Sequence, residues 1–95
     1  MDKTPSVSLS LVELDGEYDL SQKELLASLF GTLRANAPAT IDLTKVTYVD
    51  STFLNALAVL RGRFKGYAIT LLGANATVLR ALRLVGFDRL FELAD

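Results

Sequence analysis

The stretch KVTYVDSTFLNALAVLRGRF, residues 45–64, decides the fold because its hydrophobic pattern changes period at one point. Residues 46–49 are mostly β-branched or aromatic, which is typical of a strand. From Thr52 onward the apolar residues fall on one broad helical face, at Leu54, Leu57, Ala58 and Phe64. The change predicts a strand that leads to Asp50 and a helix that starts at or just after Ser51.

The segments before this stretch predict two strands and a helix. Residues 6–14 alternate small or polar with apolar side chains, as a strand with one buried face does. Gly16 is either part of a tight hairpin turn or a bulge in a longer strand. Ser21 and Glu24 match a capping box, which predicts a helix over about residues 22–34. Residues 40–43 then predict a strand that residues 46–49 could extend after a small kink.

The segments after it predict one more strand and one more helix. Gly66 is expected to end the second helix, and YAITLLG, residues 67–73, is typical of a buried strand. Asn75 can cap a third helix, with Gly86 as its left-handed stop. The tail, residues 87–95, is short, apolar in alternation and ambiguous.

Strands and helices therefore alternate, which predicts an α/β fold: a mixed β-sheet of four to five strands with about three to four helices. The chain of 95 residues fits a single domain over residues 1–95. Ligands of such sheets bind at the carboxyl ends of strands, and Asp50, Ser51 and Thr52 follow such an end. These three residues are the leading candidates for a functional site.

Composition excludes several classes of function. The net charge of −1 gives no general attraction to nucleic acid, and no apolar run approaches the length of a membrane span. Without cysteine or histidine, the chain lacks thiol chemistry and the commonest zinc ligands. The N-terminal residues lack the order of a secretory signal, so a cytoplasmic location is expected. Ser51 beside Asp50 is a poor nucleophile–base pair, because adjacent side chains at a helix start rarely face each other.

Two interpretations of Asp50, Ser51 and Thr52 remain open from residue chemistry. All three are good N-cap residues that satisfy the free amides of a first helical turn. A phosphate on Ser51 would also be tolerated there, because it would meet free amides and the positive end of a helix dipole. Repulsion from Asp50 would keep that phosphate outward, toward a partner.

The sequence resembles the STAS domain family, which takes its name from sulphate transporters and anti-sigma-factor antagonists. The segment IDLTKVTYVDSTFLNALAVLRGRF, residues 41–64, is similar to the family's two apolar–Asp segments, the second of which continues Ser–Ser/Thr–Gly–Leu. LDGEYDLS, residues 14–21, is similar to its Gly–Glu–Leu–Asp element. ATVLRALRLVGFDRLFEL, residues 76–93, is similar to its last helix and terminal segment. The resemblance covers nearly the whole chain.

The resemblance implies a free-standing anti-sigma-factor antagonist that acts by partner switching. Such a protein binds an anti-sigma factor with serine kinase activity, frees the sigma factor, and is switched off by phosphorylation. The serine after the family's aspartate is phosphorylated, and it stands here as Ser51. Thr52 matches the small hydroxyl position that follows, and Asp50 matches the motif aspartate. ATP and magnesium would belong to the partner, so no cofactor and no enzymatic activity are expected.

The remaining candidates for partner binding are Phe53, Leu54, Asn55, Glu17 and Asp19. Phe53 replaces the family's usual glycine, and it is either a core residue in a stripe with Leu57, Leu60 and Phe64 or an exposed anchor. The replacement favours an alternative function, a non-phosphorylated interaction subunit of a scaffold or transport complex. The resemblance places residues 16–19 near Ser51, which makes Glu17 and Asp19 secondary contact candidates. Whether a phosphatase resets the switch, and whether the protein oligomerises, stays open.

Overall fold

Four strands alternate with three helices in a computed structural model that describes residues 10–95. The strands are β1 (Ser10–Tyr18), β2 (Ala39–Val49), β3 (Ile69–Leu72) and β4 (Glu92–Ala94). The helices are α1 (Lys23–Gly31), α2 (Ser51–Arg63) and α3 (Ala76–Leu84), with short 3-10 helices at Leu20–Gln22 and Phe87–Arg89. The predicted α/β class is confirmed. Residues 6–9 of the predicted first strand lie outside the described residues.

The sheet has the strand order β1-β2-β3-β4, and all three pairings are parallel. The sequence predicted a mixed sheet, but no antiparallel pairing occurs among the strands of residues 10–95. The physical reason is the connections, since each contains a helix that returns the chain to the edge where it started. The carboxyl ends of the four strands therefore lie at one edge of the sheet.

Irregular pairing between β1 and β2 settles two open points of the prediction. The register shifts between Glu13 and Asp15 and again between Gly16 and Glu17, and Gly16 has a φ of 85°. Gly16 thus lies at an irregularity inside a long strand rather than in a hairpin turn. The predicted kink before Val46 coincides with the first shift, where the Asp42 carboxylate accepts hydrogen bonds from the backbone N–H and hydroxyl of Thr44. β2 continues through it to Val49.

The predicted capping box at Ser21 and Glu24 is wrong. Asp19 caps the 3-10 helix, and its Oδ1 accepts hydrogen bonds from both the backbone N–H (2.9 Å) and the hydroxyl (2.6 Å) of Ser21. These bonds hold the pKa of Asp19 below its usual range, the hydroxyl being the larger cause. A carboxylate two residues upstream is the stronger acceptor, so Ser21 donates instead of capping. α1 begins at Lys23, after Gln22, which makes no capping bond through its side chain.

Two helices end earlier than predicted. α1 ends at Gly31 because the N–H groups of Thr32 and Leu33 bond to carbonyls three residues back, which tightens the last turn. α2 ends at Arg63, and the buried Phe64 turns the chain, while Gly66 lies in the following turn. Both ends of α3 follow the prediction: the Asn75 side chain accepts from the Val78 N–H at 2.8 Å, and Gly86 has a φ of 79°.

The core lies between the helices and one face of the sheet. Buried residues alternate along the strands, as Val12 and Leu14 do in β1 and Ile41 and Leu43 do in β2. The helices contribute buried side chains from one face each, namely Leu26, Phe30, Phe53, Leu57, Leu60, Val78 and Leu82. Phe53 is 0% exposed and its ring lies 5.9 Å from that of Tyr18 and 6.4 Å from that of Phe30. It joins the sheet to both α1 and α2.

Replacing Phe53 tests this central position. Phe53→Ala should lower the free energy of unfolding by about 3–5 kcal/mol, because it removes a fully buried ring and leaves a cavity. Urea unfolding followed by circular dichroism measures the change. Val59→Ala, on the exposed face of the same helix, is the control and should stay within about 0.5 kcal/mol of the parent. A loss below about 1 kcal/mol for Phe53→Ala would contradict the packing.

The Asp19 cap makes a prediction about pH. Ser21→Ala should raise the pKa of Asp19 toward its ordinary value, because the largest cause of its lowering is removed. Since that pKa is lowered in the folded state, its stabilising contribution is present above the unfolded pKa and is lost as pH falls through the folded pKa. In the variant this contribution should therefore be smaller, and its loss should be complete at a higher pH.

An NMR titration of the aspartate carboxyl carbons measures the Asp19 prediction. Asp42 is the internal control, since its pKa is lowered by the separate hydrogen bonds from Thr44 and should not change. An unchanged Asp19 titration in Ser21→Ala would show that the hydroxyl does not hold the carboxylate.

Candidate functional site

The site begins where β2 gives way to α2. Asp50 has extended backbone angles, and its Oδ1 accepts from the backbone N–H of Thr52 at 2.8 Å. Its carbonyl accepts the first helical bond, from the N–H of Leu54, and its own N–H donates to the Tyr18 carbonyl at 3.3 Å. Asp50 is thus the N-cap of α2 and ties the helix start to the end of β1. The cap interpretation holds for Asp50.

Ser51 is exposed at the first position of α2. Its place at a helix start gives its hydroxyl the surroundings that tolerate an anion. The neighbouring Asp50 carboxylate is engaged with the backbone of the first turn through its Oδ1.

A second carboxylate cap lies beside the first. Tyr18 pairs with Val49 in the β1–β2 register, so Asp19 and Asp50 each follow the end of one of two neighbouring strands. Glu17 pairs with Tyr48 and is exposed. The structure therefore places Glu17 and Asp19 at the sheet edge that carries Ser51, where the family resemblance put them. The Asp19 carboxylate already accepts two hydrogen bonds from Ser21.

Phe53 is the correction among the predicted site residues. It is fully buried, together with Leu57, Leu60 and Phe64, so the core-stripe interpretation is right and the exposed-anchor interpretation is wrong. The physical reason is the direction of the first turn of α2, which points the Phe53 ring between Tyr18 and Phe30. Leu54 is half-buried and packs against the same core. Asn55, on the next position of α2, is exposed.

A groove of about 680 Å³ runs between α1 and α2, and we refer to it as the α1–α2 groove. Its walls include Ser51, Thr52 and Asn55 from the predicted site. Apolar residues from both helices and the preceding turn line most of the rest, among them Leu20, Ala27, Phe30, Ala56, Val59 and Leu60. The predicted serine therefore lies on a concave surface, not on an isolated helix end.

Two cations also line the groove, Lys23 and Arg63, and no carboxylate does. The Arg63 guanidinium donates to the carbonyls of Phe30 (3.2 Å) and Leu33 (3.1 Å) at the end of α1. Arg61 is held in a similar way, with Nη1 donating to the Tyr67 carbonyl at 2.8 Å. Arg63 thus fixes α1 against α2 and leaves a positive charge at that end of the groove.

Sequence reasoning missed the α1 side of this surface. Leu20, Lys23 and Ala27 carried no motif, and Val59 was not singled out on the outer face of α2. One signal was present in the sequence. Leu20 is a large apolar residue that lies just before the predicted helix and belongs to no predicted buried face, which is typical of an exposed apolar residue. Its exposed fraction in the structure is 70%.

Over residues 10–95, His, Cys, Asp and Glu side chains do not gather in groups of three or more that could hold a metal ion. No helix within those residues has the length and apolar character needed to cross a membrane.

Comparison with known proteins places this geometry in a family. The family description "Mlab, STAS domain" matches residues 5–93 of the chain. No curated protein sequence matches it significantly.

Several solved structures share the fold. A proposed anti-sigma factor antagonist from Thermotoga maritima superposes with a TM-score of 0.82 at 19% identity, covering 93% of this chain and 80% of its own. The STAS domain of a SulP transporter from Vibrio cholerae superposes with a TM-score of 0.73 at 20% identity. The match covers 97% of this chain and 77% of the transporter domain chain. The anti-sigma factor antagonist SpoIIAA in its unphosphorylated form superposes with a TM-score of 0.69 at 14% identity. The match covers 98% of this chain and 84% of SpoIIAA. With the family match over nearly its full length and the cap at Asp50 in place, the chain belongs to the STAS domain family.

Proposed function

We propose that this protein is an anti-sigma-factor antagonist that binds an anti-sigma factor with serine kinase activity and is switched off by phosphorylation of Ser51. The observation that carries the proposal is the exposed Ser51 hydroxyl on the Asp50-capped start of α2. By sequence resemblance, Ser51 stands at the position of the family's modified serine. Two of the structures that share its fold are described as anti-sigma factor antagonists, which supports the same function. The circuit would operate in the cytoplasm.

The chemistry of the switch needs no catalytic group on this chain. The kinase would transfer the γ-phosphoryl group of ATP to Ser51 Oγ, with the hydroxyl proton taken by a base of the kinase and ADP released. This chain is then the phosphoryl acceptor and not an enzyme, and the magnesium that accompanies ATP belongs to the kinase. A phosphatase that removes the group would complete the cycle.

Phosphorylation would change binding through charge. The phosphate adds about −1.5 to −2 charges at pH 7. The helix start favours that charge by only about 0.3–1 kcal/mol when exposed, and the neighbouring Asp50 carboxylate repels it. The phosphate should therefore stay outward, where a bound partner has to bury it. Burying a charge without a counter-charge costs roughly 3–5 kcal/mol, which is enough to release a partner.

The alternative function is a constitutive interaction subunit of a scaffold or transport complex, for which Ser51 is only a surface residue. One observation favours it: a transporter STAS domain shares this fold with a TM-score of 0.73. Because Phe53 is buried, such a subunit would not bind through an aromatic anchor at that position.

Substitutions at Ser51 test the proposal against the alternative. Lysate from the source cells is passed over the parent protein, Ser51→Ala and Ser51→Glu, and captured proteins are identified by mass spectrometry. We expect a protein with a kinase fold to be retained by the parent and by Ser51→Ala. Its purified form should bind Ser51→Glu with an affinity lower by about two to three decades in calorimetry, because the added charge is desolvated.

Ser28→Glu is the matched control, since Ser28 is also an exposed helical serine and lies on α1. It should bind like the parent. Incubation of the captured kinase with ATP should add one phosphate to the parent, located at Ser51 by mass spectrometry, and none to Ser51→Ala. Equal affinity of Ser51→Glu and the parent would reject the switch and leave the constitutive subunit.

A further inference from the structure

The α1–α2 groove has two defined ends because the two helices run side by side in the same direction. Arg63, the last residue of α2, bonds to carbonyls at the end of α1. Lys23 and Ser51, the first residues of the two helices, line the groove together at its other end. At a rise of about 1.5 Å per residue, the 13 residues of α2 make it about 20 Å long.

Small side chains keep the groove open along its middle. Ala27 of α1 and Ala56 of α2 both line it, with the buried Phe30 and Leu60 as its floor. Alanines on both helices bring no side chain long enough to fill the space between them. The α1–α2 groove therefore stays open above its apolar floor, and the separation of the two helices sets its width.

The rim of the groove exposes large apolar side chains. Leu20 is 70% exposed and Val59 is 62% exposed, and both line it. Contiguous exposed apolar surface of this kind often marks a site where another molecule binds. Because so many of its lining residues are open to solvent, the groove could not enclose most of a small molecule, as sites for such ligands do. Its length and openness suit a segment of another protein.

The charge of the groove selects among such segments. The chain as a whole carries a net charge of −1, yet the groove is lined by Lys23 and Arg63 with no carboxylate. The acidic residues of β1 and its end lie elsewhere, since Glu13, Asp15, Glu17 and Asp19 are not among the lining residues. A segment with carboxylates around apolar side chains therefore complements the groove, and a basic segment does not.

We propose that the α1–α2 groove binds an acidic amphipathic α-helix of a partner protein, about three turns long, whose apolar side chains pack between Ala27 and Ala56. Helices bind grooves of this kind through apolar residues at i, i+3, i+4 and i+7. Carboxylates on the same helix would lie near Lys23 at one end and Arg63 at the other. The inference rests on the proposed function only for the identity of that partner.

The groove also gives the Ser51 switch a mechanism. Ser51 and Lys23 line the same end, so a phosphate on Ser51 would place its charge within the surface that receives the acidic helix. The phosphate would offset the Lys23 charge and repel the carboxylates of the partner. Modification of Ser51 would thus weaken binding without any change in the fold.

Three fluorescent peptides test the proposal, each of about fourteen residues. The first has leucines at i, i+3, i+4 and i+7 with glutamates elsewhere, the second replaces every glutamate by lysine, and the third is the acidic peptide with its leucines scrambled. Fluorescence anisotropy should show at least tenfold tighter binding of the acidic amphipathic peptide than of either other peptide. Added salt should weaken that binding, because its charges are exposed.

Variants of the protein locate the binding site. Val59→Asp should weaken binding of the acidic peptide at least tenfold, and Lys23→Glu should reverse the preference between the acidic and basic peptides. Leu84→Asp is the matched control, because Leu84 is 76% exposed on α3, outside the groove, and it should bind like the parent. Circular dichroism of each variant shows whether it has folded.

Four outcomes would overturn the proposal. They are equal binding of the acidic and basic peptides, equal loss from Leu84→Asp and Val59→Asp, absence of binding by the folded parent, and peptide-free self-association that Val59→Asp abolishes. The last would assign the groove to a second copy of this chain.

The kinase captured by the parent separates this inference from the proposed function. If Ser51→Glu loses that kinase while Val59→Asp retains it, the switch stands and the groove assignment falls. If Val59→Asp loses it while Ser51→Glu retains it, the groove assignment stands and the switch falls.

Discussion

The hydrogen bond from the Thr52 N–H to the Asp50 carboxylate sets the geometry on which the rest of the surface depends. It satisfies a free amide of α2, and the bond from the Asp50 N–H to Tyr18 fixes the same residue to the end of β1. The helix therefore starts at a defined position relative to the sheet edge. That position decides which side of α2 faces the core and which residues remain for a partner.

The two sides of α2 carry separate tasks. Phe53 and Leu57 are buried, and the Phe53 ring packs against Tyr18 of the sheet and Phe30 of α1. Ser51, Asn55 and Val59 recur at a spacing of four on the other side and line the groove. Because stability rests on one side and the candidate binding surface on the other, the serine could be modified without disturbing the core. The phenylalanine at the family's glycine position belongs to the first side, so it does not obstruct the second.

Electrostatics divide the molecule in a similar way. Carboxylates cluster along β1 and at the two strand ends, where Asp19 and Asp50 bind backbone N–H groups. The groove carries the positive charges of Lys23 and Arg63. A chain with nearly balanced total charge thus presents surfaces of opposite sign, and net charge alone does not describe what it can bind. This is why the exclusions drawn from composition concern broad classes of partner and not a particular protein segment.

The sequence by itself determined the α/β class, the helix start at Ser51, the Asn75 cap and the turn at Gly86, because each follows from local periodicity or from side chains that bond to nearby backbone. It failed at the start of α1, where Asp19 competed with Ser21, and it stated a mixed sheet, because strand direction depends on how distant segments pair. Only the tertiary structure decided that Phe53 is buried, since that required Tyr18 and Phe30 to meet it from two other elements. The groove was likewise beyond the sequence, because it exists only where α1 and α2, far apart in the chain, lie side by side with an alanine from each between them.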